Sequence, residues 1–217
     1  MDRPLDHYWN IKLSSLKENL EKNNFEVFVA GSLKEVRSIV METLLPRIKP
    51  ASISWGGSMT FVASGLYDEL KGNPSMTVLD TFEKDLSLVE SMERRRQSLM
   101  VDLYITGTNA VTENGMLVNL DMIGNRIAAL TFGPKDVIII IGRNKIVPDL
   151  EEAMDRVKDL AAPANAMRLD KKTPCVKTAS CHECSSSDRI CNTWTITQKS
   201  FPKGRVKIIL ANVDAGL

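Results

Sequence analysis

Long apolar runs are missing from this chain of 217 residues. The longest, "VIIII" at 137–141, is far too short to span a bilayer. The opening "MDRPLDHYWN" is polar, with no apolar segment behind it. No secretory leader and no membrane span are therefore expected, and the expected location is the cytoplasm. An excess of one charge is missing too. A formal net charge of +1 gives no electrostatic case for a nucleic-acid or membrane-surface partner. The densest basic run, "ERRR" at 93–96, reads as a solvated helix face. Histidine is scarce: only His7 and His182 occur, so a Ser-His-Asp or Cys-His hydrolase would depend on His182 and is not expected. Neither a G-x-G-x-x-G fingerprint nor a Walker A ending is present. Cysteine occurs only at 175, 181, 184 and 191, which argues for a local site rather than a disulfide-stapled fold.

What is present is an alternation of strand and helix patterns. Trp9, Leu13, Leu16 and Leu20 recur at helical spacing, followed by the strand "FEVFVA" at 25–30. Ser32 and Glu35 form a capping-box pattern ahead of Val36, Ile39, Val40 and Leu44, and this helix must end by Pro50. "SISWGG" at 52–57 reads as a strand running into glycines. Ser58 then caps a helix with Met59, Val62, Leu66 and Leu70 on its core side. "MTVLD" at 76–80 is a strand, and a helix around 85–100 leads into "VDLYITG" at 101–107. "DVIIII" at 136–141 has β-branched residues without alternation, as a strand covered on both faces requires. A capped helix follows from Asp149, carrying Leu150, Met154, Val157 and Leu160. "TWTITQKSFPKGRVKIILANV" reads as two strands joined by a Pro-Gly turn.

This pattern predicts one α/β domain over 1–217: three layers, helices on both faces of a mainly parallel sheet, with a Cys-containing segment at 163–217. Sheets of this kind bind ligands outside the carboxyl ends of their strands. Three stretches fall there, at 54–60, 107–115 and 142–147. Gly56, Gly57 and Ser58 lie between a strand and a helix start, where glycines admit a ligand and free N–H groups attract anions; a tight turn is the plainer reading. Gly107, Thr108 and Asn109 follow the next strand. Arg143, Asn144 and Lys145 follow the buried strand, with Arg126 a further candidate anion contact and solvated loop charge the competing reading. "TENG" at 112–115 has the Asn114-Gly115 pair of a tight hairpin. It also offers Glu113 as nucleophile or general base, with Asn119 and Asp121 as orienting or acid–base partners.

The cysteines read C-x5-C-x2-C-x6-C. Four thiolates so close together suit zinc or an iron–sulfur cluster, with His182 able to replace one ligand; reduced cysteines holding no metal are the other reading.

"GTNAVTENGMLVNLDMIGNRIAALTFGPKDVIIIIGRNKIVPDLEEA", together with "KTPCVKTASCHECSSSDRICN", resembles the lactate-utilisation (LUD) domain family, most specifically over about 104–192. The resemblance implies a fold like that of ribose-5-phosphate isomerase, glucosamine-phosphate deaminase and the coenzyme A transferases. "TENG" is similar to the Ser-Glu-Asn-Gly motif of class I coenzyme A transferases, whose glutamate carries the acyl group. Here Thr112 stands in place of the serine, and "WGGSMT" is at most a distant counterpart of the coenzyme loop. The family association is with oxidation of L-lactate alongside iron–sulfur partner proteins. Three readings follow. One is a subunit for small 2-hydroxy or 2-oxo acids, with a transferase-like pocket around Glu113. Another is a stand-alone coenzyme A-type acyl transferase or sugar-phosphate isomerase, taking coenzyme A or a phosphorylated or carboxylate ligand. The third is a non-catalytic redox-partner subunit with a metal at its cysteines. A small anionic metabolite is the expected partner, and a homo-oligomer is compatible with all three.

Overall fold

The computed structural model describes residues 4–217. Among the described residues there are ten strands: β1 (Glu26–Ala30), β2 (Ser52–Trp55), β3 (Thr77–Leu79), β4 (Leu103–Thr106), β5 (Ala110–Thr112), β6 (Leu117–Asp121), β7 (Asp136–Gly142), β8 (Ile146–Val147), β9 (Thr193–Thr197) and β10 (Val206–Ala211). Six make a parallel sheet in the order β1-β10-β7-β4-β2-β3. Helices cover both faces, giving the three-layer α/β/α architecture that the alternating pattern predicts.

β7 shows why. Side chains alternate across a strand, so Val137, Ile139 and Ile141 join Leu13, Leu16 and Leu20 of the N-terminal helix (Pro4–Lys22) on one face. Ile138 and Ile140 join Val36, Val40, Leu44, Phe61, Leu66 and Leu70 on the other. Val137 through Ile140 are fully buried, and each such side chain contributes roughly 2 kcal/mol by leaving water.

A second sheet, order β8-β5-β6-β9, goes beyond the sequence reading. β5 and β6 form the expected hairpin, β9 adds antiparallel to β6, and β8 pairs parallel with β5. Ala110, Val118 and Leu120 pack there against Ala153 and Val157. The two C-terminal strands exist but are not a hairpin, since β9 lies in this small sheet while β10 is inserted between β1 and β7 of the large one.

Two helices are interrupted where proline enters. Ile39–Leu44 and Val157–Ala161 are wide π turns, with Leu45 N–H bonded to Val40 and Ala162 N–H to Val157. Pro46 and Pro163 follow directly. Proline lacks an N–H and its ring crowds the carbonyl four residues back, and a wide turn relieves that clash. The helix expected over 58–70 breaks at Gly65, whose φ of +77° ends one short helix and starts another. Its core side therefore becomes Thr60, Phe61, Leu66 and Leu70, leaving Met59 and Val62 about two-fifths exposed. The helix Leu88–Gln97, capped by a Ser87–Glu90 box, has no fully buried side chain; within the "ERRR" run Glu93 and Arg96 are exposed, while Arg94 and Arg95 are half-buried and bond Asp80 O (3.2 Å) and Ser91 O (2.9 Å).

Candidate ligand site at the strand ends

Parallel register puts the carboxyl ends of β2, β4, β7 and β10 on one edge, pairing Trp55 with Ile105, Thr106 with Ile139 and Ala211 with Gly142. The loops 56–58, 107–109 and 143–145 leave from that edge. The structure brings these sequence-chosen stretches together.

Gly56 bonds through its N–H to Ile105 (3.0 Å) and leaves no room for a side chain. A Cβ there would lie 2.8 Å from Tyr104 Oη and 2.9 Å from Thr106 Oγ1. Ser58 caps the helix Met59–Ala63 by accepting from Phe61 N–H (3.2 Å). At Gly107 a Cβ would stand 2.8 Å from Ser58 Oγ, so the loops interlock. Three buried polar groups beside them, Tyr104 Oη, Thr106 Oγ1 and Asn119 Nδ2, have no hydrogen-bond partner. Such groups cost about 1–3 kcal/mol when left unmet.

The cations differ in what they do. Arg126, buried at the start of the helix Asn125–Thr131, donates to Gly107 O (3.2 Å), Asn119 Oδ1 (2.6 Å), Asn109 Oδ1 (2.9 Å) and Leu120 O (3.2 Å). Both of its terminal nitrogens are thus bonded to protein, and it ties the β4–β5 loop to β6. Arg143 lies over the Trp9 ring (5.2 Å to the centroid) and pairs with Asp214 (3.0 Å). Lys145 is different. It is 4% exposed, and its ammonium donates only to Thr60 Oγ1 (3.3 Å) and Thr108 O (3.2 Å). No carboxylate among the described residues pairs with it. Burial, with the nearby Arg156 and Arg126 charges, pushes its pKa down from 10.5 to about 7.

Arg156 is the residue that sequence reasoning missed. Its guanidinium donates to Asn109 O (2.5 Å) and Asn144 O (3.0 Å), joining two of the three loops, and its other terminal nitrogen is buried without a partner. The available signal was its position three residues after Ala153 and just before Val157, on the buried side of that helix. Thr60, at the end of the sequence-chosen stretch 54–60, contacts both Lys145 and the chain's last residues. The segment 212–216 lies across the same edge: Thr60 Oγ1 donates to Ala215 O (3.0 Å), and Asn144 bonds both Ala215 N–H (3.0 Å) and Gly216 O (3.2 Å). Gly216, at φ +71°, packs so closely on Thr60 and the Lys145 ammonium that no side chain fits there.

Glu113 sits elsewhere. Gly115 N–H bonds Thr112 O (2.8 Å), so Glu113 and Asn114 are the central turn residues and Gly115, at φ +84°, is the left-handed position after them. The hairpin is therefore a type I turn with a glycine bulge rather than a two-residue Asn-Gly loop. Asn19 donates to Glu113 O (2.8 Å), Asn23 donates to Asn114 O (3.1 Å), and the Glu113 carboxylate pairs with Lys12. That contact holds the Lys12 ammonium above its ordinary pKa. Asn119 and Asp121 lie toward the other end of β6, roughly 10 Å or more along the strand at about 3.3 Å per residue. There Asp121 accepts from the N–H groups of Arg126 (3.2 Å) and Ile127 (3.3 Å), capping a helix. The structure joins Asn119 and Asp121 through Arg126 and places Glu113 apart from both.

Cys175, Cys181, Cys184 and Cys191 carry free, partly buried thiols on a third feature, below the small sheet. Among the described residues, no three His, Cys, Asp or Glu side chains stand as a ready metal-ligand set. No helix among them is long and apolar enough to cross a membrane.

Fold and site together define a parallel α/β domain whose strand-end loops enclose a cationic polar centre. The LUD domain family model matches residues 13–211, and the chain belongs to that family. Its fold is similar to that of a DUF162 family protein from Deinococcus radiodurans, seen in a crystal structure at 1.70 Å. The two share 16% identity over 94% of this chain and 98% of that one, with a TM-score of 0.54. No curated protein matches the chain.

Proposed function

We propose that this LUD-domain protein binds a small organic acid of the 2-hydroxy or 2-oxo class, in L-lactate utilisation, with Lys145 as the charge anchor. The observation that carries the reading is a buried ammonium with no carboxylate partner, flanked by two guanidinium groups at a strand-end edge. An incoming carboxylate supplies the missing counter-charge and keeps Lys145 protonated. The unpartnered Thr106 and Asn119 groups supply contacts suited to the hydroxyl or keto oxygen of such an acid. Electrons from a 2-hydroxy acid would pass to iron–sulfur partner proteins. The segment 212–216 must shift to admit the acid, because Gly216 rests on Lys145.

The test is ligand-induced thermal stabilisation by L-lactate and pyruvate, with lactamide as the uncharged control. Stabilisation by the acids alone, lost in Lys145→Met, is expected. Equal response to lactamide, or an unaltered response in Lys145→Met, would refute the reading. A transferase reading instead rests on the likeness of "TENG" to the acyl-carrying motif. It requires Glu113 to leave Lys12, and an acyl adduct on Glu113 after incubation with acyl-coenzyme A is its test.

A further inference from the structure

We propose that Cys175, Cys181, Cys184 and Cys191 form a single four-thiolate metal centre, holding Zn2+ or an iron–sulfur cluster, that staples the segment 169–192 to the small sheet. These are the chain's only cysteines, and all four line one cavity of about 70 Å3, with His182, Arg189 and Trp194. They reach it from separate places. Cys175 is on the short helix Pro174–Thr178, Cys181 and Cys184 are in the irregular loop beyond it, and Cys191 packs against the small-sheet core. Four thiols that line one cavity and form no disulfide are a ligand set by composition, while no three of them stand at ligand distance from a common point in this structure. Cysteine has one side-chain torsion, and a change of rotamer swings its sulfur inward.

Arg189 gives an independent pointer. It donates to Cys184 O (2.8 Å) and Cys191 O (2.7 Å), bracing the backbone of two of the cysteines. Its Nε–H is buried at the cavity with no partner. Four thiolates around one divalent ion leave a net negative charge, and N–H donors to the sulfurs are the usual means of stabilising it. Lys158, which also lines the cavity, is paired with Glu183, itself a lining residue, so the two together add no net charge.

Apart from such a staple, the segment is held by hydrogen bonds such as those of Asp188 to Lys171 and Lys172 and of Asn192 to Met122 O. Between the helix Pro174–Thr178 and β9 it has no regular structure, and Ala179 and Glu183 hold left-handed backbone at φ 56° and 47°. Glu183 falls inside the Cys181–Cys184 knuckle. Long irregular loops rarely persist in a compact domain without a constraint of their own. Binding replaces each S–H proton with a metal–sulfur bond, so protons are released and affinity falls at low pH.

The full chain is purified anaerobically under reductant and analysed for zinc, iron and acid-labile sulfide, with its visible spectrum. Stoichiometric zinc without colour supports the structural form. Iron with matching sulfide and visible absorption supports the cluster. Protein stripped with a chelator is then titrated with Co2+, and sulfur-to-cobalt charge-transfer bands with tetrahedral ligand-field bands are expected. Cys184→Ser should weaken or abolish these bands while leaving the far-ultraviolet spectrum of the large sheet unchanged, because the cysteines lie outside its two cores. Metal-free protein whose four thiols all react freely with a thiol reagent, and which gives no charge-transfer band with Co2+, overturns the proposal.

Discussion

Replacing Lys145 by Met should make the protein more stable at mildly acidic pH and less pH-dependent above neutrality. Burial lowers the Lys145 pKa in the folded chain to about 7, against 10.5 in the unfolded chain. Below pH 7 both states carry the proton, and the whole cost of holding a buried charge falls on the folded state. A pKa lowered from 10.5 to about 7, at roughly 1.4 kcal/mol per tenfold change in proton affinity, sets that cost at no more than about 5 kcal/mol. As pH rises from about 7 to 10, the unfolded chain binds more protons than the folded one, so wild-type stability climbs. Met keeps the length of the side chain but loses the bonds to Thr60 and Thr108, each worth about 1 kcal/mol, and orphans a buried carbonyl. The expected net gain is about 1–3 kcal/mol at pH 6, shrinking to zero or below by about pH 10. Urea unfolding of both proteins across that range measures it, and the difference between the curves isolates Lys145 from every other titration. A difference that does not change with pH would refute the assignment of Lys145 as a buried, depressed amine.

Arg126→Met should cost about 3–5 kcal/mol in urea unfolding, since it strips donors from four buried acceptors and leaves Asp121 without its ion pair. Gly56→Ala should cost roughly 1–3 kcal/mol and abolish acid binding, because the new methyl meets Tyr104 and Thr106; unchanged binding by calorimetry would show that the cradle is not the site. Gly115→Ala should lower stability by about 1–2 kcal/mol, through its left-handed backbone and the methyl's approach to Leu20 N (3.1 Å). Glu113→Gln should change stability by less than about 1 kcal/mol, its partner Lys12 being a part-exposed cation. Lost growth on lactate in that variant would make Glu113 functional rather than structural.

The large sheet was legible because its strands are covered on both faces. Ile138 to Ile141 need no partner to declare themselves buried, and capping residues at Ser32, Ser58 and Asp149 bounded the helices. The small sheet was legible only in its β5–β6 hairpin and in β9 as a strand. β8 has two residues, and its pairing with β5, like that of β9 with β6, joins distant segments that no local period records. The destination of "VKIILA" was hidden for the same reason: a run of β-branched residues fixes burial, not which neighbours it pairs with. At the site, strand-end placement drew the three loops together on paper as in space. Charge alone could not sort the cations, however. Arg126 and Lys145 look alike as candidate anion contacts, and only their bonding separates a clamp with four acceptors from an ammonium with no carboxylate. Glu113 illustrates the converse: its motif marked a site, while the turn geometry places it against the N-terminal helix.

The central claim is that Lys145 receives a carboxylate, and its most direct test is proton uptake on binding. Titration calorimetry of pyruvate or L-lactate at about pH 8, in buffers of different ionisation enthalpy, counts the protons taken up. A largely neutral Lys145 that pairs with the acid should take up close to one proton there and almost none at about pH 5.5, while Lys145→Met takes up none. Binding at about pH 8 whose enthalpy does not depend on the buffer, or which is unchanged in Lys145→Met, would contradict it.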